Sequence, residues 1–115
     1  MSLDVSLTIE VNTGGDEPHI VNLYEANITH NLGKMAGKAG IYKHLWRPEE
    51  LGITKAGDLI ESLEKGLADM KVRPEYYKQF NAANGRGLYK DFVPWIERYL
   101  EAAKQYPNAD INISR

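Results

Sequence analysis

A two-layer α+β fold, with about three main helices packed on one face of a three-stranded antiparallel sheet, is predicted by three observations. Val5, Leu7, Ile9 and Val11 alternate with Ser6, Thr8, Glu10 and Asn12, the period of two that marks a half-buried strand. The middle of the chain instead carries apolar residues every three to four positions, the period of a helix with one buried face. Residues 110–114, DINIS, return to alternation at the far end. Strand, strand, helices, strand is the order of a sheet covered on one side. A length of 115 residues suits a single domain over residues 1–115 with one core.

The first strand leads into Thr13-Gly14-Gly15-Asp16-Glu17-Pro18, a turn-rich connection. His19 to Tyr24 then forms the second strand of a hairpin. Residues 27–46 read as one long helix, because Ile28, Leu32, Met35, Ala39, Tyr42 and Trp46 fall on one side at about 100° per residue. Asn27 is its expected N-cap. Gly33, Gly37 and Gly40 share another face of this helix. Each costs about 1 kcal/mol there relative to alanine, so Gly37 is expected to lie against a neighbouring element. Pro48 opens a short turn. Residues 54–71 form a second helix with Thr54 as cap, and Pro74 starts a short third one. After the loop Asn81 to Gly87, a last helix spans roughly residues 89–105, its regular part starting near Asp91 so that Pro94 stays in the first turn. The closing strand is too short to stand alone. Ile111 and Ile113 need an apolar face, and the first strand provides one, so the first strand is expected at the centre of the sheet.

Composition narrows the function. The chain is 43% hydrophobic and 26% charged, an ordinary globular balance. No apolar run is long enough to span a bilayer, so no membrane partner is expected. The N-terminus lacks the basic start and apolar stretch of a signal peptide. With no cysteine, disulfides and cysteine–zinc sites are excluded. Together these point to a cytoplasmic location. A net charge of −2 and a pI of about 5.9 make nucleic acid an unfavoured partner, since phosphate binding needs unopposed cations.

The segment NLGKMAGKAG, residues 31–40, mimics a phosphate-binding loop and fails the test. The motif needs G-x-x-x-x-G-K-[ST]; here Gly33 to Gly37 is one residue short and Ala39 follows Lys38. His30 and His44 stand fourteen residues apart, about 21 Å along a helix, so they cannot share a metal. No metal, cofactor or catalytic residue is assigned: there is no H-E-x-x-H, no G-x-S-x-G and no cysteine nucleophile.

Two surfaces remain as candidates. His30 sits among Glu25, Asn27, Thr29 and Asn31, with Lys34 one turn later. At the start of a long helix, where N–H groups are unpaired, Asn27, Thr29, His30 and Lys34 would form a pocket for a carboxylate or phosphate. The second surface comes from the rings Tyr76, Tyr77, Phe80, Tyr89, Phe92, Trp95 and Tyr99, within 24 positions. Most belong in a core, but a small domain seldom hides so many. A core with an amphipathic rim is the favoured reading; the other places Tyr77 and Trp95 on an exposed aromatic surface, with Arg86 stacked on it.

The segments NITHNLGKMA, LWRPEE and PEYYKQFNAANGRGLYKDFVPWIERYLEA resemble those of a group of small uncharacterised proteins encoded by bacteriophages and bacterial genomes, over about residues 24–106. The resemblance implies a phage or prophage setting and transfers no catalytic residue. In that group tryptophan often stands in the place of Arg86, a departure that leaves this loop with no role implied by the resemblance. The favoured expectation is a non-enzymatic interaction or accessory module that binds a protein partner or a second copy of itself. The alternative is a binder of small anionic ligands, or an unusual enzyme, centred on His30.

Overall fold

The computed structural model describes residues 2–115 and has the predicted α+β architecture. Strands β1 (Ser2–Val11) and β2 (His19–Thr29) form an antiparallel hairpin, and β3 (Asp110–Ser114) pairs antiparallel with β1 on its other side. The sheet order is β2-β1-β3, so the first strand is central and joins the two ends of the chain. Helices α1 (Gly33–Lys38), α2 (Tyr42–Trp46), α3 (Ile60–Val72), α4 (Pro74–Lys78) and α5 (Tyr89–Gln105) make the second layer.

Alternation along β1 does what a period of two requires. Leu3, Val5 and Leu7 are buried beneath the helices, while Asp4 and Glu10 face outward. Ile111 and Ile113 of β3 pack against the same core, and Asn112 between them is exposed. The register of β1 against β2 slips once, between Leu7 and Thr8, where Leu23 is the extra residue. Such a bulge increases the local twist. On the helical side, Met35, Leu63, Tyr77, Phe92, Ile96 and Tyr99 are fully buried. The hydroxyl of Tyr99 has no hydrogen-bond partner among the described residues. Burial raises its pKa.

The single long helix expected over residues 27–46 is not formed. Strand β2 continues to Thr29, so Asn27 is a strand residue and not an N-cap. Thr29 takes the capping role: its Oγ1 accepts from the Asn31 N–H at 3.2 Å, opening a 3-10 turn at His30–Leu32. The rest breaks into α1 and α2 because Gly40 adopts φ +77°, a left-handed conformation that only glycine takes without strain. A four-three spacing of apolar residues is satisfied equally well by two short helices leaning on one core. Gly37 is also corrected: a Cβ there would meet nothing within 4 Å. The glycine with a close neighbour is Gly66 of α3, where a Cβ would lie 2.6 Å from Ile41 Cγ2 and 3.2 Å from the Ala39 carbonyl oxygen.

Residues 54–59 are not α-helical as expected. A 3-10 turn at Ala56–Leu59 precedes α3, and Thr54 gives its carbonyl to the Ile111 N–H at 3.0 Å instead of capping. Pro94 falls inside α5, which starts at Tyr89. Its missing N–H leaves the Lys90 carbonyl without its helical partner, at a solvent-facing position. No helix among the described residues is long and apolar enough to cross a membrane.

Candidate functional site

The loop after α4 carries the residue that completes the site. Asn81 Oδ1 accepts from the Tyr89 N–H at 2.7 Å, and the Ala82 N–H donates to the Gly87 carbonyl at 3.0 Å, closing residues 82–87 into a compact turn. Asn84 Oδ1 accepts from the Arg86 N–H at 2.9 Å. This turn is pressed onto the end of β2. The Asn31 side-chain amide donates to the Arg86 carbonyl at 2.8 Å. Gly87 is buried at φ +115°, and a Cβ there would stand 2.9 Å from Asn31 Cβ. Backbone conformation and space both demand glycine at this position.

The result is a hollow of about 670 Å³ lined by Ser2, Asn27, Thr29, His30, Asn31, Asn84 and Arg86. Three residues expected around His30 are there: Asn27, Thr29 and His30 itself. Arg86 joins them, although the sequence suggested it for the other surface. Lys34 does not line it. Its ammonium lies 5.6 Å from the Phe80 ring centroid, with the Lys38 ammonium 5.8 Å from the same ring, a cation–π arrangement. The expected helix dipole does not act on this site either, because Thr29 leads into a three-residue 3-10 turn and not a long helix.

The hollow has a simple chemical character. Arg86 is its cation, no carboxylate lines it, and Arg86 forms no ion pair among the described residues. Amides and hydroxyls supply the rest. His30 is half-buried, its ring edge-on to Trp46 with centroids 6.2 Å apart. Its Nε2 is buried without a hydrogen-bond partner among the described residues. Ser2 Oγ is engaged by the Asn27 side-chain amide at 2.9 Å, not by a base. Thr29 Oγ1 is engaged by the turn it caps. A nucleophile needs a base within hydrogen-bond reach, and among the described residues neither hydroxyl is hydrogen-bonded to one.

Beside it, on the sheet face that no helix covers, lies a second hollow of about 510 Å³. Asp4, Ser6, Glu25, Asn27, Asn112 and Ser114 supply its polar lining. Asn27 lines both. Its Nδ2 donates to Ser2 Oγ on one side and to Asp4 Oδ1, 2.6 Å away, on the other.

Of the two readings of the aromatic residues, the core is formed and the exposed surface of Tyr77, Trp95 and Arg86 is not. Tyr77 is fully buried. Its hydroxyl donates to Asp69 Oδ2, and burial first, then that bond, pushes its pKa up to about 12. Trp95 is 4% exposed, and its indole N–H donates to the Asn27 carbonyl at 3.1 Å. Both rings fill the space between helix and sheet, where large apolar area contributes most to stability. Arg73 takes the stacking role near Tyr76, 4.5 Å from its centroid.

Sequence reasoning missed Ser2 and Asn84. Neither has a local signal, since each reaches the site through pairing with distant residues. Among the described residues no group of three or more metal-ligating side chains is clustered. Comparison with family models, with curated proteins and with solved structures finds no match for this chain.

Proposed function

We propose that this chain is a binding module that captures the anionic group of a small ligand in the Arg86–His30 hollow. One observation carries the reading: among the described residues, the Arg86 guanidinium has no ion-pair partner and stands in a hollow with no lining carboxylate, on a turn held in place by the Asn31–Arg86 hydrogen bond. Arginine presents a planar fork that matches a carboxylate or phosphate, and the Asn31, Asn84 and Thr29 side chains add polar partners around it. Binding fits this lining better than catalysis does, because among the described residues neither hydroxyl is paired with a base.

The test is a titration of the full chain with N-acetylglycylglycine, a monoanion, followed by backbone amide NMR shifts at fixed ionic strength. Saturable shifts confined to residues 29–31 and 84–87, lost in Arg86→Ala, support the reading. Absence of saturation, or shifts unchanged in Arg86→Ala, overturns it.

A protein-interaction role retains one observation of its own, moved from the aromatic residues to the hairpin. Val11 is 37% exposed and Ile20 54% exposed, near the end of a ribbon that extends beyond the stretch paired with β3. Concentration-dependent sedimentation of the wild-type chain, abolished in a Val11→Ser/Ile20→Ser double variant, would support self-association there; a monomer at all concentrations would count against it.

A further inference from the structure

We infer that the two adjoining hollows form one bipartite site for a zwitterion of about dipeptide length, its anionic end at Arg86 and its amine at Asp4 and Glu25. The inference rests on the anion-capture reading and adds the ligand class.

The hollows adjoin at one residue, Asn27, which lines both. A single side-chain nitrogen, Asn27 Nδ2, is within 2.9 Å of Ser2 Oγ and 2.6 Å of Asp4 Oδ1. Ser2 lines the hollow containing Arg86, and Asp4 lines the other. The two depressions therefore meet at Asn27 on one outward face.

Charge is divided between them. Among the described residues, the Arg86 hollow is lined by a cation and no carboxylate, and its neighbour by Asp4 and Glu25 and no cation. This division is built into the chain, because its first 33 residues contain five carboxylates and no lysine or arginine. Neither carboxylate has a cationic partner among the described residues. Asp4 accepts from Asn27, and Glu25 accepts from the Asn22 amide at 3.1 Å. A bare anion in the Arg86 hollow is repelled by Asp4, which follows the lining residue Ser2 by two positions on β1. An amine on the same ligand turns that repulsion into attraction.

The strand advance from one hollow to the next gives a ligand scale, with Asp4 the nearer carboxylate and Glu25, paired with Ser6, the farther. Asp4 follows Ser2 by two residues on β1, and their pairing partners Asn27 and Thr29 are likewise two apart on β2. Two residues of strand span roughly 7 Å, about the length of an extended dipeptide. At neutral pH such a molecule carries a carboxylate and a protonated α-amine, whose pKa is about 8.

Three probes of one backbone separate the possibilities in NMR titrations of the full chain at low ionic strength: glycylglycine, N-acetylglycylglycine without the amine, and glycylglycinamide without the carboxylate. Glycylglycine is expected to bind roughly two- to fivefold more tightly than its acetylated form, the size of one solvent-exposed ion pair. Its shifts should extend from residues 29–31 and 84–87 to residues 4 and 25. Glu25→Gln should reduce the advantage of glycylglycine, and the Asp4→Asn/Glu25→Gln pair should bring it to the acetylated level. Glu25→Gln touches only the Asn22 contact, so it remains informative if the double variant folds poorly. Equal binding of the two carboxylate probes, with Arg86→Ala weakening both, overturns the zwitterion inference and leaves anion capture standing. Failure of both carboxylate probes to bind overturns both. Tighter binding of glycylglycinamide than of glycylglycine also overturns the inference, since the carboxylate then contributes nothing.

Discussion

The indole N–H of Trp95 donates to the main-chain carbonyl of Asn27 at 3.1 Å, which fastens α5 to the strand residue shared by both hollows. The contact links core packing to the site. Trp95→Phe keeps an apolar ring but leaves that carbonyl without its donor and opens a small void. Loss of this part-buried hydrogen bond costs about 1 kcal/mol, and the void adds to it. Urea unfolding should show a lower midpoint at unchanged slope, and the Asn27 amide resonance should move.

Tyr99 provides the opposite case. Its hydroxyl is buried without a partner among the described residues, beside the Tyr24 ring stacked 6.1 Å away. Tyr99→Phe removes an unsatisfied polar atom, so stability should stay level or rise by about 1 kcal/mol. A thermal melt is sufficient to check the sign.

Two glycine substitutions should diverge. In Gly66→Ala the new methyl runs into Ile41, a stiff β-branched side chain that is itself buried, and into the Ala39 carbonyl oxygen. Overpacking of about 1–3 kcal/mol should outweigh the helix-propensity gain of about 1 kcal/mol. Gly37→Ala meets nothing and should stabilise by up to about 1 kcal/mol. Chemical denaturation of the pair checks both signs.

His44 should set a pH dependence. Its pKa is lowered by burial, and its Nδ1 is buried without a partner among the described residues. The unfolded chain therefore takes up this proton at a higher pH than the folded chain does. Stability should fall as pH drops below about 6.5 toward the depressed folded value. His44→Gln should flatten that part of a stability–pH curve measured by denaturant melts, whereas an unchanged slope would assign the acid sensitivity elsewhere.

Removing residues 109–115 takes away β3, buried Ala109 and the Arg115 guanidinium, which donates to the Trp46 carbonyl at 2.8 Å. Ile111 and Ile113 are half-buried, so the loss should be about 3–5 kcal/mol in total. It also bares an edge of β1 open to association. Scanning calorimetry and light scattering measure the two effects.

Alternation in β1 and β3 determined the sheet, its buried face and the central place of the first strand, because a period of two leaves only one way to bury Leu7, Ile111 and Ile113 together. Helical spacing likewise identified α5 and most of α3. Tertiary structure decided the rest. The break at Gly40 was invisible to periodicity, since two short helices on one core repeat the pattern of a long one. Tyr77 and Trp95 became interior because Asp69 and the Asn27 carbonyl accept their polar hydrogens, and only a fold can supply such partners. The meeting of His30 with Arg86 depends on Asn31 reaching a carbonyl 55 positions away. No local pattern encodes that distance, because the close approach is set by the positive φ of Gly87 and by how the turn it closes packs on the end of β2.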